Sequence, residues 1–169
     1  PAPPKEVDLA EIPRTIVKQP DYQTESPGYC LLVFGLEAKT RVWLVADGDQ
    51  VYIDRNGNGD LTEAGERVNE KDYRGWFRLG EVTEVDGETT HQNLCIRVME
   101  DSSFELELKS GNRAHRHAGR VDSLMPKLAA KPADAPIIHP NGPLTLVPFT
   151  PINFAFRQAD DDRDTQFEW

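Results

Sequence analysis

The stretch VYIDRNGNGDLTEAGE at positions 51–66 leaves the chain little conformational choice. Its opening residues have the β-branched and aromatic character of a strand, and the glycines behind them force a tight turn. Around that turn, side chains that carry oxygen recur at every second position: Asp54, Asn56, Asn58, Asp60 and Thr62. A hard cation such as calcium takes about six to eight oxygens, and a short loop supplies them when donors alternate along a backbone that curls around the ion. The stretch is therefore read as a strand that runs into a cation-type loop at 54–66.

Counted from Asp54, Gly59 stands at the sixth position, where the sharp turn is needed. Asp60 would offer its backbone carbonyl, Thr62 sits where a water-mediated contact is usual, and Leu61 is an apolar anchor between them. In the EF-hand loop pattern the twelfth residue is a bidentate Glu. Here the twelfth is Gly65 and the carboxylate, Glu66, is the thirteenth. Either a one-residue bulge lets Glu66 reach the ion, or Glu63 or a remote acid closes the site. The Asn-Gly pairs also satisfy the simplest hairpin signal, a turn with no metal at all. Because two of the three leading donors are neutral amides, a calcium affinity of roughly 10⁻⁴ to 10⁻³ M is expected.

The run resembles the EF-hand-like calcium loops of dockerins and of the B repeats of bacterial serine-aspartate surface proteins, whose pattern is roughly D-x-N-x-N-G-x-x-D-x-G-E. Asp54, Asn56, Asn58, Gly59, Gly65 and Glu66 match it, with one extra residue before the Gly-Glu pair. It is also similar to loops in exported proteins of planctomycete-type bacteria, a likeness that extends to APIIHPNGPL at 135–144. These resemblances imply calcium as cofactor and an exported bacterial setting, and they bring no activity with them.

Composition agrees with that setting. A chain of 169 residues suits one domain and is long enough to bury a core without covalent staples. With 29 acids against 19 bases the net charge is −10, which disfavours nucleic acid and anionic membrane as partners, since both need a basic face. The longest apolar run, Cys30 to Leu36, is far short of the roughly 20 residues that span a bilayer, so no membrane insertion is expected. The chain begins PAPPKE without Met, which reads as a processed or trimmed start; a periplasmic, cell-surface or extracellular location is expected.

Six of the thirteen prolines fall in residues 1–28, which predicts an extended arm draped on a β-rich domain at 29–169. From Tyr29 onward CLLVFGL, RVWLVA and QVYID are short β-rich runs, with Asp47-Gly48 turning the last two. Further strands are expected at Gly75 to Val85, Gln92 to Met99 and Ser103 to Leu108. In FELELK, Phe104, Leu106 and Leu108 alternate with Glu105, Glu107 and Lys109, the period of a sheet with one wet face. At most one short helix is foreseen, near Ser123 to Lys131, and extended chain is foreseen again at Pro143 to Phe149. The fold class is mainly β, a single antiparallel sandwich-like domain.

Two further constellations compete for function. Cys30, Trp43 and Cys95 are spaced as in an immunoglobulin domain, which admits either an inter-sheet disulfide or two buried thiols. His115 and His117 flank Arg116, and on a strand they would share a face where His139 or His91 could complete a three-His zinc site. That would make the chain a metal-dependent, hydrolase-like enzyme. Glu105 and Glu107 read as a charged solvent face rather than as a glycosidase pair. No nucleophile elbow, phosphate loop or dinucleotide fingerprint occurs. The acidic segment Asp160 to Asp164 reads as solvated, and Trp43 and Trp76 as packing residues, with Trp169 a further aromatic for a carbohydrate platform. The sequence thus points to a calcium-stabilised binding or structural module, with a protein or carbohydrate as ligand, more than to an enzyme. A third reading makes it an accessory domain of a larger protein.

Overall fold

The computed structural model describes residues 7–35, 37–110, 113–117, 127–138 and 157–159. Among these residues ten strands form two five-stranded sheets. In the first, β1 (Gly28–Phe34), β2 (Thr40–Asp47), β3 (Gln50–Ile53) and β4 (Arg67–Val68) pair as an antiparallel meander, and β9 (Ile137–Ile138) adds to the free edge of β1 in parallel. The second is antiparallel throughout: β5 (Phe77–Thr83), β6 (Thr90–Val98), β7 (Phe104–Ser110), β8 (Arg113–His117) and β10 (Arg157–Ala159). The expected mainly β, sandwich-like fold is what the chain adopts.

The two sheets differ in sequence texture because they differ in burial. Cys30, Leu32, Phe34, Val42, Leu44, Val51 and Ile53 turn from the first sheet toward Phe77, Leu79, Val82, Leu94, Ile96, Phe104 and Leu106 of the second, making the main core. The opposite face of the first sheet is buried as well: Tyr29, Leu31, Val33, Trp43, Val45, Tyr52 and Ile137 lie under Leu9, Ile12, Leu61 and Ala135. Burial on both sides is why CLLVF and VWLV read as unbroken apolar runs. Among the described residues the second sheet packs one face against the core and leaves the other more open, which is why its strands alternate.

What covers the first sheet is largely the proline-rich arm. From residue 7 to 27 its only regular structure is a 3-10 turn at Leu9–Glu11, capped by Asp8, whose Oδ1 accepts from Ala10 N at 2.9 Å. Trp43 Nε1 donates to the Thr15 carbonyl at 3.1 Å, so the indole is satisfied by the arm it packs against. Asp47, expected as a turn residue, is fully buried and receives Gln23 N, Thr24 N, Thr24 Oγ1 and Gln50 Nε2 at 2.7 to 2.9 Å.

Among the described residues the foreseen helix does not form. Residues 127–131 are not helical: Lys127 and Ala129 form bridges to Ser103 and Tyr29, and the two hydrogen bonds between Tyr29 and Ala129 span 2.8 and 3.0 Å. Backbone pairing with existing strands outweighs a local preference for helix there. Residues 123–126, the Pro143 to Phe149 segment, the acidic segment at 160–164 and Trp169 lie outside the described residues.

Both cysteines are free. Cys30 points into the main core, and burial pushes its thiol pKa up. Cys95 sits between Leu94 and Ile96, both of which face that core, so it projects from the other side of β6 and is only half-buried. A thiol titration of the unfolded, unreduced protein is therefore expected to count two free thiols, and a count of none would contradict the packing. No helix among the described residues is long and apolar enough to cross a membrane.

Candidate functional site

The cation-type loop begins where β3 ends. Asp54 N still bonds to the Trp43 carbonyl at 3.0 Å, so the aspartate is placed by the sheet before the chain turns away. Its side chain is buried, and Oδ2 accepts from Gly59 N at 3.0 Å, closing a six-residue turn. Gly59 has φ +79°, and a Cβ there would lie 3.0 Å from Val17 Cγ2, so both the turn and the arm exclude a side chain.

Between these points the alternating oxygens work on the backbone. Asn56 Oδ1 accepts from Asn58 N at 3.0 Å, Asn58 Oδ1 from Asp60 N at 2.7 Å, and Asp60 Oδ1 from Thr62 N at 2.9 Å and Thr62 Oγ1 at 2.5 Å. Each residue of the series thus fixes the chain two positions ahead of it, as short polar side chains do in turns. Leu61 is buried in the cluster beneath the arm, as its anchoring role requires.

The two candidate carboxylates, Glu63 and Glu66, are placed differently. Gly65, at φ +86°, reverses the chain so that Glu66 turns inward: its carbonyl accepts from Ile53 N at 2.8 Å, and its side chain is 3% exposed. Glu63 points outward instead, where Oε2 accepts from Asn56 Nδ2 at 2.6 Å. Of the two carboxylates that sequence left open, Glu66 is the one enclosed with Asp54.

That enclosure is electrostatically unfavourable as it stands. Asp54 Oδ1 and Glu66 Oε2 are buried with no hydrogen-bond partner. Burial raises the pKa of Glu66 to about 7, helped by the negative charges of Asp54 and Glu63. Burial also raises that of Asp54, against the opposing amides of Gly59, Asn58 and Gly57. Two buried acids, each with an orphaned oxygen, are the polar groups that proteins ordinarily avoid unless a cation or proton compensates them.

Residues that sequence did not single out frame this pair. Gly59 O accepts from both Val17 N and Lys18 N at 2.9 and 3.0 Å, and Leu61 N donates to Lys18 O at 3.0 Å, so the arm runs parallel to the loop and is bonded to it. Lys18 Nζ lies 3.7 Å from Asp60 Oδ2 at an exposed position. Arg55 donates through Nε to the Gly65 carbonyl at 3.3 Å and through a terminal nitrogen to the Leu79 carbonyl, tying the loop to the second sheet. An arginine inside the loop was visible in the sequence, but the contact from the arm had no local signal.

The histidine alternative rests on residues that are only partly described. His115 and His117 occupy β8, opposite Leu108 and Leu106 of β7, and His139 lies outside the described residues. His91 is in the core, with Nε2 2.7 Å from Glu84 Oε1 and its ring stacked on Phe34 at 4.6 Å. Glu105 is engaged by Arg97, which itself lies over Trp76, so the outer face of the second sheet is a network of charge and aromatic contacts. Among the described residues no three His, Cys, Asp or Glu side chains are grouped to hold a metal. The buried acids of the loop are Asp54 and Glu66, while Asp60 and Glu63 carry its outer carboxylates.

Comparison with models of protein families, with curated proteins and with solved structures finds no match to this chain.

Proposed function

We propose that this chain is a calcium-stabilised β-sandwich module of an exported protein, with binding or structural work as its role. The observation that carries the reading is the burial of Asp54 and Glu66 in one loop with an orphaned oxygen on each. A divalent cation beside them would supply the missing partner and cancel their repulsion. Asp54 and Glu66 would be its charged ligands, with Asn56, Asn58, Asp60 and Thr62 as oxygen donors around the same turn. An all-oxygen set of carboxylates and amides, without imidazole or thiolate, suits calcium rather than zinc. By fixing the loop, the ion would also fix the arm bonded to Gly59 and Leu61, and through Arg55 the edge of the second sheet.

The test is thermal unfolding in EDTA and then with added calcium, magnesium or zinc. A ligand that binds only the folded state stabilises it by RT ln(1 + [L]/Kd), which is about 2.7 kcal/mol when the ligand stands at 100 times Kd. With a Kd near 10⁻⁴ M, about 10 mM calcium should reach that gain. Asp54→Asn keeps an acceptor for Gly59 N but removes the charge, and it is expected to abolish most of the calcium-dependent rise. Stabilisation by zinc without any effect of calcium would move attention to the histidines and leave the loop as a turn.

A further inference from the structure

The loop holds two Asn-Gly pairs, Asn56-Gly57 and Asn58-Gly59, two residues apart and nearly identical in local sequence. Asn-Gly is chemically fragile because glycine leaves its own amide nitrogen open to attack on the preceding side chain, and asparagine counts among the thermolabile residues. The fold treats the two pairs differently. We infer that Asn56 is a site of spontaneous deamidation on the folded protein, while Asn58, two residues later, is protected by the structure.

The reaction needs no partner other than water. The Gly57 amide nitrogen loses its proton and bonds to Asn56 Cγ, the Cγ–Nδ2 bond breaks, and nitrogen leaves as ammonia. Water then adds to one carbonyl of the resulting five-membered imide and opens it to aspartate or isoaspartate. The sum is asparagine plus water giving an acidic residue plus ammonia, with no change of oxidation state.

Three features favour Asn56. The attacking nitrogen, Gly57 N, makes a long 3.4 Å contact to the Asp54 carbonyl and is the weakest-bound of the three amides turned toward the Asp54 carboxylate, and Gly57 is exposed. The side-chain carbonyl that must take up negative charge is already bonded to Asn58 N at 3.0 Å. The departing nitrogen donates to Glu63 Oε2 at 2.6 Å on the opposite side, so the amide is oriented with its oxygen toward a donor and its nitrogen toward a carboxylate at the exposed rim of the loop, where water supplies the proton that ammonia takes away.

Asn58 lacks the first of these. Gly59 N is committed to the buried Asp54 Oδ2 at 3.0 Å, and removing its proton there would place two negative groups in contact. The Gly59 carbonyl is held by Val17 N and Lys18 N, and Gly59 itself is buried, so the peptide cannot rotate to attack without releasing the arm. Attack at this pair therefore requires local opening, whose free energy divides the rate.

Deamidation of Asn56 replaces a neutral oxygen donor with a carboxylate among Asp54, Asp60 and Glu63. On the calcium reading proposed above, which this consequence alone rests on, the aspartate product strengthens the loop as a cation site. The isoaspartate product inserts a methylene into the backbone and destroys the alternation of donors.

The test is peptide mapping by mass spectrometry of the full chain, aged at mildly alkaline pH both folded and in urea, with the amide-to-acid mass gain scored separately at each asparagine. In urea the two pairs should react at comparable rates. In the folded chain Asn56 should react at least about tenfold faster than Asn58, since protection scales with the cost of local opening. Equal rates in the folded chain, faster reaction at Asn58, or reaction at neither would overturn the inference. Ageing is done in EDTA, so that the rates report the metal-free loop and failure of the calcium reading does not change the outcome.

Discussion

An Asp47→Ala variant is expected to lose about 3–5 kcal/mol of stability, the loss that follows when one member of a buried, charge-assisted network is removed. Asp47 is fully buried yet satisfied, because its two oxygens receive the Gln23 and Thr24 amides, the Thr24 hydroxyl and the Gln50 amide. Burial alone would raise its pKa, but the hydrogen bonds from Gln23, Gln50 and Thr24 prevail and hold it below the ordinary 3.8. A group with a depressed folded-state pKa gives stability that is present above its unfolded value and lost as pH falls through the folded one. The Asp47 contribution is thus intact at neutral pH and disappears only below about pH 4. Alanine removes it at every pH and leaves four donors without their acceptor. Urea unfolding should register the loss, and hydrogen exchange should show the Gln23 and Thr24 amides opening with it. A variant within about 1 kcal/mol of the parent, typical of exposed sites, would show that this part of the arm is not held by Asp47.

The same residue shows where sequence reading stopped. Asp47-Gly48 was legible as a hairpin turn, and the hairpin is there, but nothing near position 47 announces that its carboxylate clamps residues more than twenty positions earlier. The strands of the first sheet were legible because two-sided burial makes CLLVF and VWLV uniformly apolar, and FELEL was legible because β7 has one wet face. β8, RAHRH, carries neither signature, and it is a strand because β7 and β10 pair with it on both sides. β9 has only two residues and joins β1 in parallel across a separation no local pattern reports. In the loop, the alternating oxygens from Asp54 to Thr62 that order the turn could be read from spacing alone. The choice between Glu63 and Glu66 could not, because it depends on the positive φ of Gly65 and on which side chain the sheet then encloses. The bonds from Val17 and Lys18 were equally hidden, since they belong to the arm's path over the first sheet.

The enclosed pair also sets how stability should vary with pH when no divalent cation is present. Glu66 has a folded-state pKa of about 7 against an ordinary 4.5, raised by burial and then by Asp54 and Glu63. The pKa is raised, so protonated Glu66 favours the folded state: the contribution is full below about pH 4.5 and is lost as pH rises through about 7. In EDTA the protein is expected to lose about 2–3 kcal/mol between pH 5 and pH 8, since each tenfold change in proton affinity is worth about 1.4 kcal/mol before solvent screening at a loop reduces it. Asp54, raised in the same direction, adds to the slope. This window lies above that of Asp47, so the two carboxylates can be told apart by where stability changes. Glu66→Gln keeps the shape of the protonated acid and should flatten the slope while leaving stability at pH 5 nearly unchanged. Calcium should flatten it too, but from the other end, because a metal takes the deprotonated carboxylates and competes with the proton for them. Stability at pH 8 should then rise toward its pH 5 value in the parent chain and not in Glu66→Gln. A flat profile in EDTA would mean that Glu66 is solvated in solution, and the case for a cation between it and Asp54 would fall with it.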